Sequence, residues 1–177
     1  MTDAPFRPFE THLDLDRSTA LLRDTLSGAE DGELYLERKR SESLVFDDGR
    51  VKTASYDASE GFGLRAVSGE VSGYAHATEI SESALKRAAT TARLAVGQGG
   101  GTLAPPPAGT NRRLYTDSDP IAGADFPVKI ATLREIDAFA RDMDSRVVQV
   151  TATIAASLQE ITILRPEGGL VTDVRPM

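Results

Sequence analysis

The sequence predicts an α+β fold: antiparallel β-meanders of about seven strands, which one sheet can hold, with three packing helices. Three observations carry this. Several segments alternate apolar and polar residues at period two, as half-buried strands do. Three other segments repeat apolar residues at helical spacing. Hairpin-turn chemistry, above all at Asp47-Asp48-Gly49-Arg50, joins neighbouring strands, since glycine adopts positive φ cheaply and aspartate tolerates it.

In chain order, residues 1–12 predict an irregular lead-in, because Pro5 and Pro8 interrupt regular structure. A helix follows over residues 14–27, with Leu15, Thr19, Leu22 and Leu26 on one stripe and Gly28 just beyond. Residues 33–46 are extended. Leu34 and Leu36 share a face with Leu44 and Phe46, while residues 38–43 (RKRSES) are polar on both faces. After the Asp48-Gly49 turn, residues 51–57 return as a strand and Phe62, Leu64 and Ala66 alternate in another. Ser68-Gly69-Glu70 turns into a strand at residues 71–77, so that residues 41–77 form a four-stranded meander. A second helix starts near Ser81 as cap and runs to about Val96, with Leu85, Ala88, Ala92 and Ala95 inward.

Residues 97–110 (GQGGGTLAPPPAGT) form a Gly/Pro-rich linker, placed inside a single domain of residues 1–177 because neither flank alone supplies a comfortable core. A third helix fits residues 126–143, with Pro127 in its first turn and Ile130, Leu133, Ile136, Ala140 and Met143 as the apolar stripe. Strands then fit residues 148–156, 160–165 and 170–174, the last two joined by a turn at Pro166-Glu167-Gly168-Gly169.

The formal net charge of −7 repels phosphate backbones, so no nucleic-acid partner is expected. With no cysteine, neither a disulfide nor a thiolate metal site can exist in these residues. The opening MTDAPFRPFETHLDLD lacks the basic start and apolar run of a signal peptide, and no apolar run approaches membrane-spanning length. The expected location is cytoplasmic, with no membrane partner.

No residue is assigned as catalytic or metal-binding. A zinc peptidase commonly sets two histidines on one helix with a glutamate between them. His12 and His76 are the only histidines; one lies in the lead-in and the other ends a strand. Gly61-Phe62-Gly63 leads into a strand rather than a helix amino terminus, so it is no phosphate cradle. No G-x-S-x-G spacing appears, and Asp47 and Asp48 are explained by the hairpin turn. Two features keep a functional alternative open. Arg38, Lys39 and Arg40, with Glu42, make a charged spot on an extended segment, either a solvated strand or a contact for a partner subunit or peptide. An exposed edge of either meander can also take up an extended peptide by main-chain hydrogen bonds, although edges are usually protected.

Several short motifs, in order, resemble one family. They are Glu33-Leu34-Tyr35, Ser41-Glu42-Ser43, Asp48-Gly49-Arg50-Val51-Lys52, and Gly63-Leu64-Arg65-Ala66-Val67-Ser68-Gly69-Glu70. Leu114-Tyr115 with Asp119-Pro120, Val150-Thr151-Ala152 and Asp173-Val174-Arg175-Pro176 continue the series. Together they resemble the amino-terminal region of the TldD/PmbA metallopeptidases, known as modulators of DNA gyrase, and the last motif looks more like the TldD branch. The resemblance implies a parent, zinc-dependent, that hydrolyses unfolded or short peptides in a paired TldD–TldE assembly. Its His-Glu-x-x-x-His motif lies in the carboxy-terminal half of the family and has no counterpart in these residues. The expectation is an amino-terminal scaffold and assembly domain, inactive alone and without a cofactor of its own. Its implied partners are the carboxy-terminal half, a PmbA/TldE-type subunit and the peptide substrate. The alternative is a stand-alone protein- or peptide-binding module.

Overall fold

The computed structural model describes residues 4–97, 101–105 and 114–177, with the backbone alone at 95 and 96. Its elements are α1 (Pro8–Thr11), α2 (Leu15–Thr25), β1 (Asp31–Asp47), β2 (Arg50–Ser68), β3 (Val71–Ala77), α3 (Glu82–Val96), α4 (Phe126–Met143), β4 (Thr151–Leu164) and β5 (Leu170–Pro176). The strands form one antiparallel sheet in the order β3-β2-β1-β4-β5.

There are five strands among the described residues, not seven. The two strands expected after Asp48-Gly49 are one, β2, and residues 41–77 hold three strands rather than four. The segments expected at 148–156 and 160–165 are likewise one strand, β4. Backbone conformation supplies the reason. The three hairpin turns sit where Gly49, Gly69 and Gly168 adopt positive φ. Gly61 is not among the positive-φ glycines and stays within the strand. A Cβ there would lie 2.6 Å from the carbonyl oxygen of Ala77, so this glycine admits the end of β3 instead of turning the chain.

Among the described residues there are four helices, not three, because the lead-in contains α1. Pro8, read in the sequence as an interruption, stands at its first position, where a fixed φ and a missing N–H are no handicap. Helix α2 is capped by Asp14, whose carboxylate accepts from the Arg17 backbone N–H at 2.8 Å, and it buries Thr19 and Leu22, with Leu26 buried as its C-cap. Helix α3 starts at the expected cap, Ser81, whose hydroxyl accepts from the Ala84 N–H at 3.2 Å. Leu85, Ala88 and Ala92 are buried as expected; the Ala95 side chain and residues 98–100 and 106–110 of the expected linker lie outside the described residues.

The chain divides into two compact units. The first comprises Met1–Arg38, Ser59–Leu114 and Glu160–Asp173, and its core joins Leu22 and Leu26 to Leu34, Leu36, Phe62, Leu64 and the inner face of α3. The second comprises Lys39–Ala58, Tyr115–Gln159 and Val174–Met177. Its smaller core packs Ile130 and Leu133 of α4 against Leu44 and Phe46 of β1, with Ala152 and Ile154 of β4 at the side.

Helix α4 has the expected bounds, and its expected inner face holds at Ile130 and Leu133 but not at Ile136 and Met143. Lys129, Ile130, Leu133 and Asp137 are buried, while Ile136 is 45% exposed and Met143 73%. Apolar residues also occupy the flank next to this face, and the charge that enters the interior is paired. Lys129 reaches Glu42 and the Ile121 carbonyl, whereas Asp137 accepts from Arg141 Nε at 3.1 Å within the helix through Oδ2 alone, its Oδ1 being buried without a partner among the described residues.

Candidate functional site

Strand β1 carries the charged spot singled out from the sequence. Arg38 belongs to the first unit, where its Nε and Nη2 donate to Glu160 Oε2 at 2.9 and 2.8 Å and its guanidinium lies 5.7 Å from the centre of the Phe6 ring. Glu160 is held from the other side by the Phe6 backbone N–H, 2.9 Å from Oε1. In the second unit Arg40 pairs with Asp119 at 3.1 Å and Glu42 accepts from Lys129. Lys129 also donates to the Ile121 carbonyl at 2.6 Å, and Asp119 accepts from the Ile121 N–H at 2.8 Å. The turn at residues 119–122 is thereby fastened to β1 directly by the Arg40–Asp119 ion pair and indirectly through Lys129 of α4, which bridges Glu42 and the Ile121 carbonyl. Strand alternation turns Lys39 to the opposite face, where it is exposed. Three of the four singled-out side chains thus fasten their own unit, and Lys39 faces solvent.

Lys39 borders a shallow groove of about 310 Å³ in the second unit, lined by Ser41, Ser43, Ser55, Asp57 and Ser157 among others. Its rim includes Met177, whose backbone exchanges two hydrogen bonds of 2.8 Å with Ser157. Strand β2 pairs with β3 only from Phe62 to Ser68. Residues 50–58 therefore have an outer edge with no strand partner among the described residues, and all nine are exposed. This stretch has no proline, and of its three charges Lys52 is drawn to Asp47 at 2.9 Å. The usual devices that blunt a sheet edge are sparse, leaving main-chain donors and acceptors open to an extended segment. The sequence indicated that an edge could serve, and the short pairing of β3 leaves this one open beside the outer strands β3 and β5.

Asp47, placed at the turn on sequence grounds, does more than turn the chain. It accepts from Thr151 Oγ1 at 2.7 Å, Lys52 Nζ at 2.9 Å and Gln149 Nε2 at 3.1 Å. The Thr151 hydroxyl first, then Lys52 and Gln149, hold its carboxyl well below the ordinary value of 3.8. A carboxyl depressed in the folded state contributes stability above its unfolded pKa, and that contribution is lost as pH falls toward the folded one. Asp47→Asn is therefore expected to be less stable than the parent near pH 7. The gap should narrow progressively as pH drops below about 4, in parallel thermal melts across the acid range. An equal gap at pH 7 and pH 3 would contradict this role.

Neither histidine is set for metal chemistry. His12 Nε2 lies 3.8 Å from Glu60, and His76 stacks on Tyr74 with centroids 5.7 Å apart. Among the described residues no three His, Cys, Asp or Glu side chains converge to hold a metal ion, so the residues present do not fit one. A second charged cluster, which sequence reasoning missed, is internally satisfied: Arg65 pairs with Asp31 at 2.7 Å and Arg165 with Glu33 at 3.1 Å. Its members are more than 130 residues apart at the extremes, and no local pattern announces it. No described helix is long and apolar enough to cross a membrane.

Comparison with known proteins places these features in context. Residues 32–96 match the family PmbA/TldA metallopeptidase domain 1. A metalloprotease TldD homologue of Buchnera aphidicola (subspecies Schizaphis graminum) is 32% identical over 147 residues, covering 82% of this chain and 30% of the relative. The TldD homologue of Haemophilus influenzae is 31% identical over 148 residues, covering 82% and 31%. The chain thus spans less than a third of the length of these relatives. In fold, a proposed modulator of a DNA gyrase from Thermotoga maritima superposes with TM-score 0.72 at 16% identity, covering 91% of this chain and 36% of that one. TldE from Thermococcus kodakarensis superposes with TM-score 0.67 at 17% identity, covering 89% and 36%.

Proposed function

Because the chain belongs to the PmbA/TldD family and carries its first domain, we propose that it is the amino-terminal scaffold and assembly domain of a metal-dependent peptidase acting on unfolded or short peptides. The observation that carries this is the match to metalloprotease TldD homologues, over most of this chain but under a third of their length. In this reading the catalytic metal and its ligands belong to the rest of the longer polypeptide, and the domain is inactive by itself. Its partners are that remainder and a PmbA/TldE-type subunit, with Lys39 the member of the charged spot free to face them. Incubation of the purified chain with zinc and an unfolded reporter peptide is expected to give no hydrolysis above a zinc-only control. Co-expression with a PmbA/TldE-type subunit is expected to give a co-purifying complex. Metal-dependent turnover by the chain alone would overturn the first half of the proposal, and failure to associate the second.

The open edge at residues 50–58 favours a second reading, a module that binds extended peptides by strand addition. The two separate cleanly. A binding module titrates with extended peptides whether or not the subunit is present, whereas a scaffold domain alone does not.

A further inference from the structure

Helix α4 is buried on one side only. Val128, Thr132, Ile136, Phe139 and Met143 fall within an arc of about 80° on the flank next to that buried side, at 100° per residue, and run about 22 Å along it. None of the five is buried: Val128 is 55% exposed, Phe139 69% and Met143 73%. Their apolar surface amounts to roughly 400 Å², at the upper end of what a free soluble surface normally shows. The border of this stripe is anionic. Glu135 and Asp142 flank it on one side, exposed and in no ion pair among the described residues. The cations of the helix are directed elsewhere: Lys129 to Glu42, Arg141 to Asp137 and Asp48, and Arg134 onto the side of the helix away from the stripe.

We propose that this face of α4 docks an amphipathic helix of a partner polypeptide whose apolar stripe is bordered by Lys or Arg. The inference rests on the reading of the chain as an assembly domain and names the chemistry of what it assembles with. Charge and size select this occupant. In a second copy packed about a two-fold axis, antiparallel helices would bring Glu135 and Asp142 against the same residues of the partner helix, a like-charge border. An anionic lipid surface is repelled for the same reason. A stable subunit interface takes about 800 Å² from each partner, roughly twice this stripe, so the face suits one helix laid along it.

The test uses the 177-residue chain and two synthetic amphipathic helices, identical except that one has lysines and the other glutamates along the border of a leucine stripe. The lysine peptide is expected to bind at least about tenfold more tightly at low salt. Phe139→Ser should remove that binding without changing the thermal melt, since the ring is exposed, and Glu135→Lys with Asp142→Lys should reverse the preference. Equal binding of both peptides, or an inert Phe139→Ser, overturns the proposal. So does a homodimer in sedimentation that Phe139→Ser abolishes, or a preference for phosphatidylglycerol vesicles over the lysine peptide. A chain that assembles with a PmbA/TldE-type subunit yet ignores both peptides defeats this inference and leaves the assembly role standing.

Discussion

Phe46→Ala is expected to cost about 3–5 kcal/mol and to lower the melting temperature by roughly 6–20 °C. The effect is large because the second unit has so little else. Phe46 is 1% exposed, and among the described residues only Leu44, Ile130 and Leu133 share its buried cluster. Removing the ring takes away the largest member and leaves a cavity between β1 and α4, which are held apart by the remaining leucines and the ion pairs beside them. The first unit, with Leu22, Leu26, Leu34, Leu36, Leu64 and Leu164 in one cluster, has far more apolar area to absorb a comparable loss. Tyr56→Ala is the control: 57% exposed on β2, it should change stability by no more than about 0.5 kcal/mol. Denaturant unfolding of the three proteins side by side decides it, and a loss below about 1 kcal/mol for Phe46→Ala would mean that this cluster is not what holds the second unit.

The second large effect is electrostatic. Glu42→Ala leaves the Lys129 ammonium, whose side chain is 8% exposed, with the Ile121 carbonyl as its remaining partner. Breaking a buried pair by deleting one member typically costs about 3–5 kcal/mol, because the surviving charge is uncompensated; the carbonyl should bring this case toward the lower figure. The pair as a whole is a different matter. Glu42→Leu combined with Lys129→Met removes both charges and their desolvation, and should recover most of the lost stability or exceed the parent. An exposed pair gives the contrast. Arg7 and Glu10 are 59% and 65% exposed at 3.1 Å, and Glu10→Ala should cost no more than about 1 kcal/mol. A double variant as unstable as Glu42→Ala would show that the contact matters for its shape and not for its charge.

Much of the helical content was legible because it depends on neighbours in sequence. Ser81 caps α3 through an amide three residues on, and Pro127 opens α4 where its ring and missing N–H do no harm. The turn at Asp48-Gly49 is equally local, a backbone conformation that few other residue pairs adopt. Strand breaks were less legible. Gly61 looked like punctuation, and its reason for being glycine, the carbonyl of Ala77 pressed against it, lies across the sheet. The charged run at residues 38–42 could be seen, but not its partners, since Glu160 and Lys129 are distant in sequence and salt bridges have no spacing rule at such range.

What the sequence determined by itself, then, was the family, the α+β class, and the starts of the main helices. All of these are written in short motifs and short-range geometry. Only the tertiary structure decided which side of α4 is buried. Apolar residues spread over the buried face and the flank beside it, and the face that turns inward is the one where Lys129 finds Glu42 and where Ile130 and Leu133 meet Leu44 and Phe46. The tertiary structure likewise decided that β3 ends at Ala77, opposite Phe62, and leaves residues 50–58 of β2 with an open edge. Burial and strand pairing are properties of surfaces that meet, and a single segment carries only its own half of each meeting.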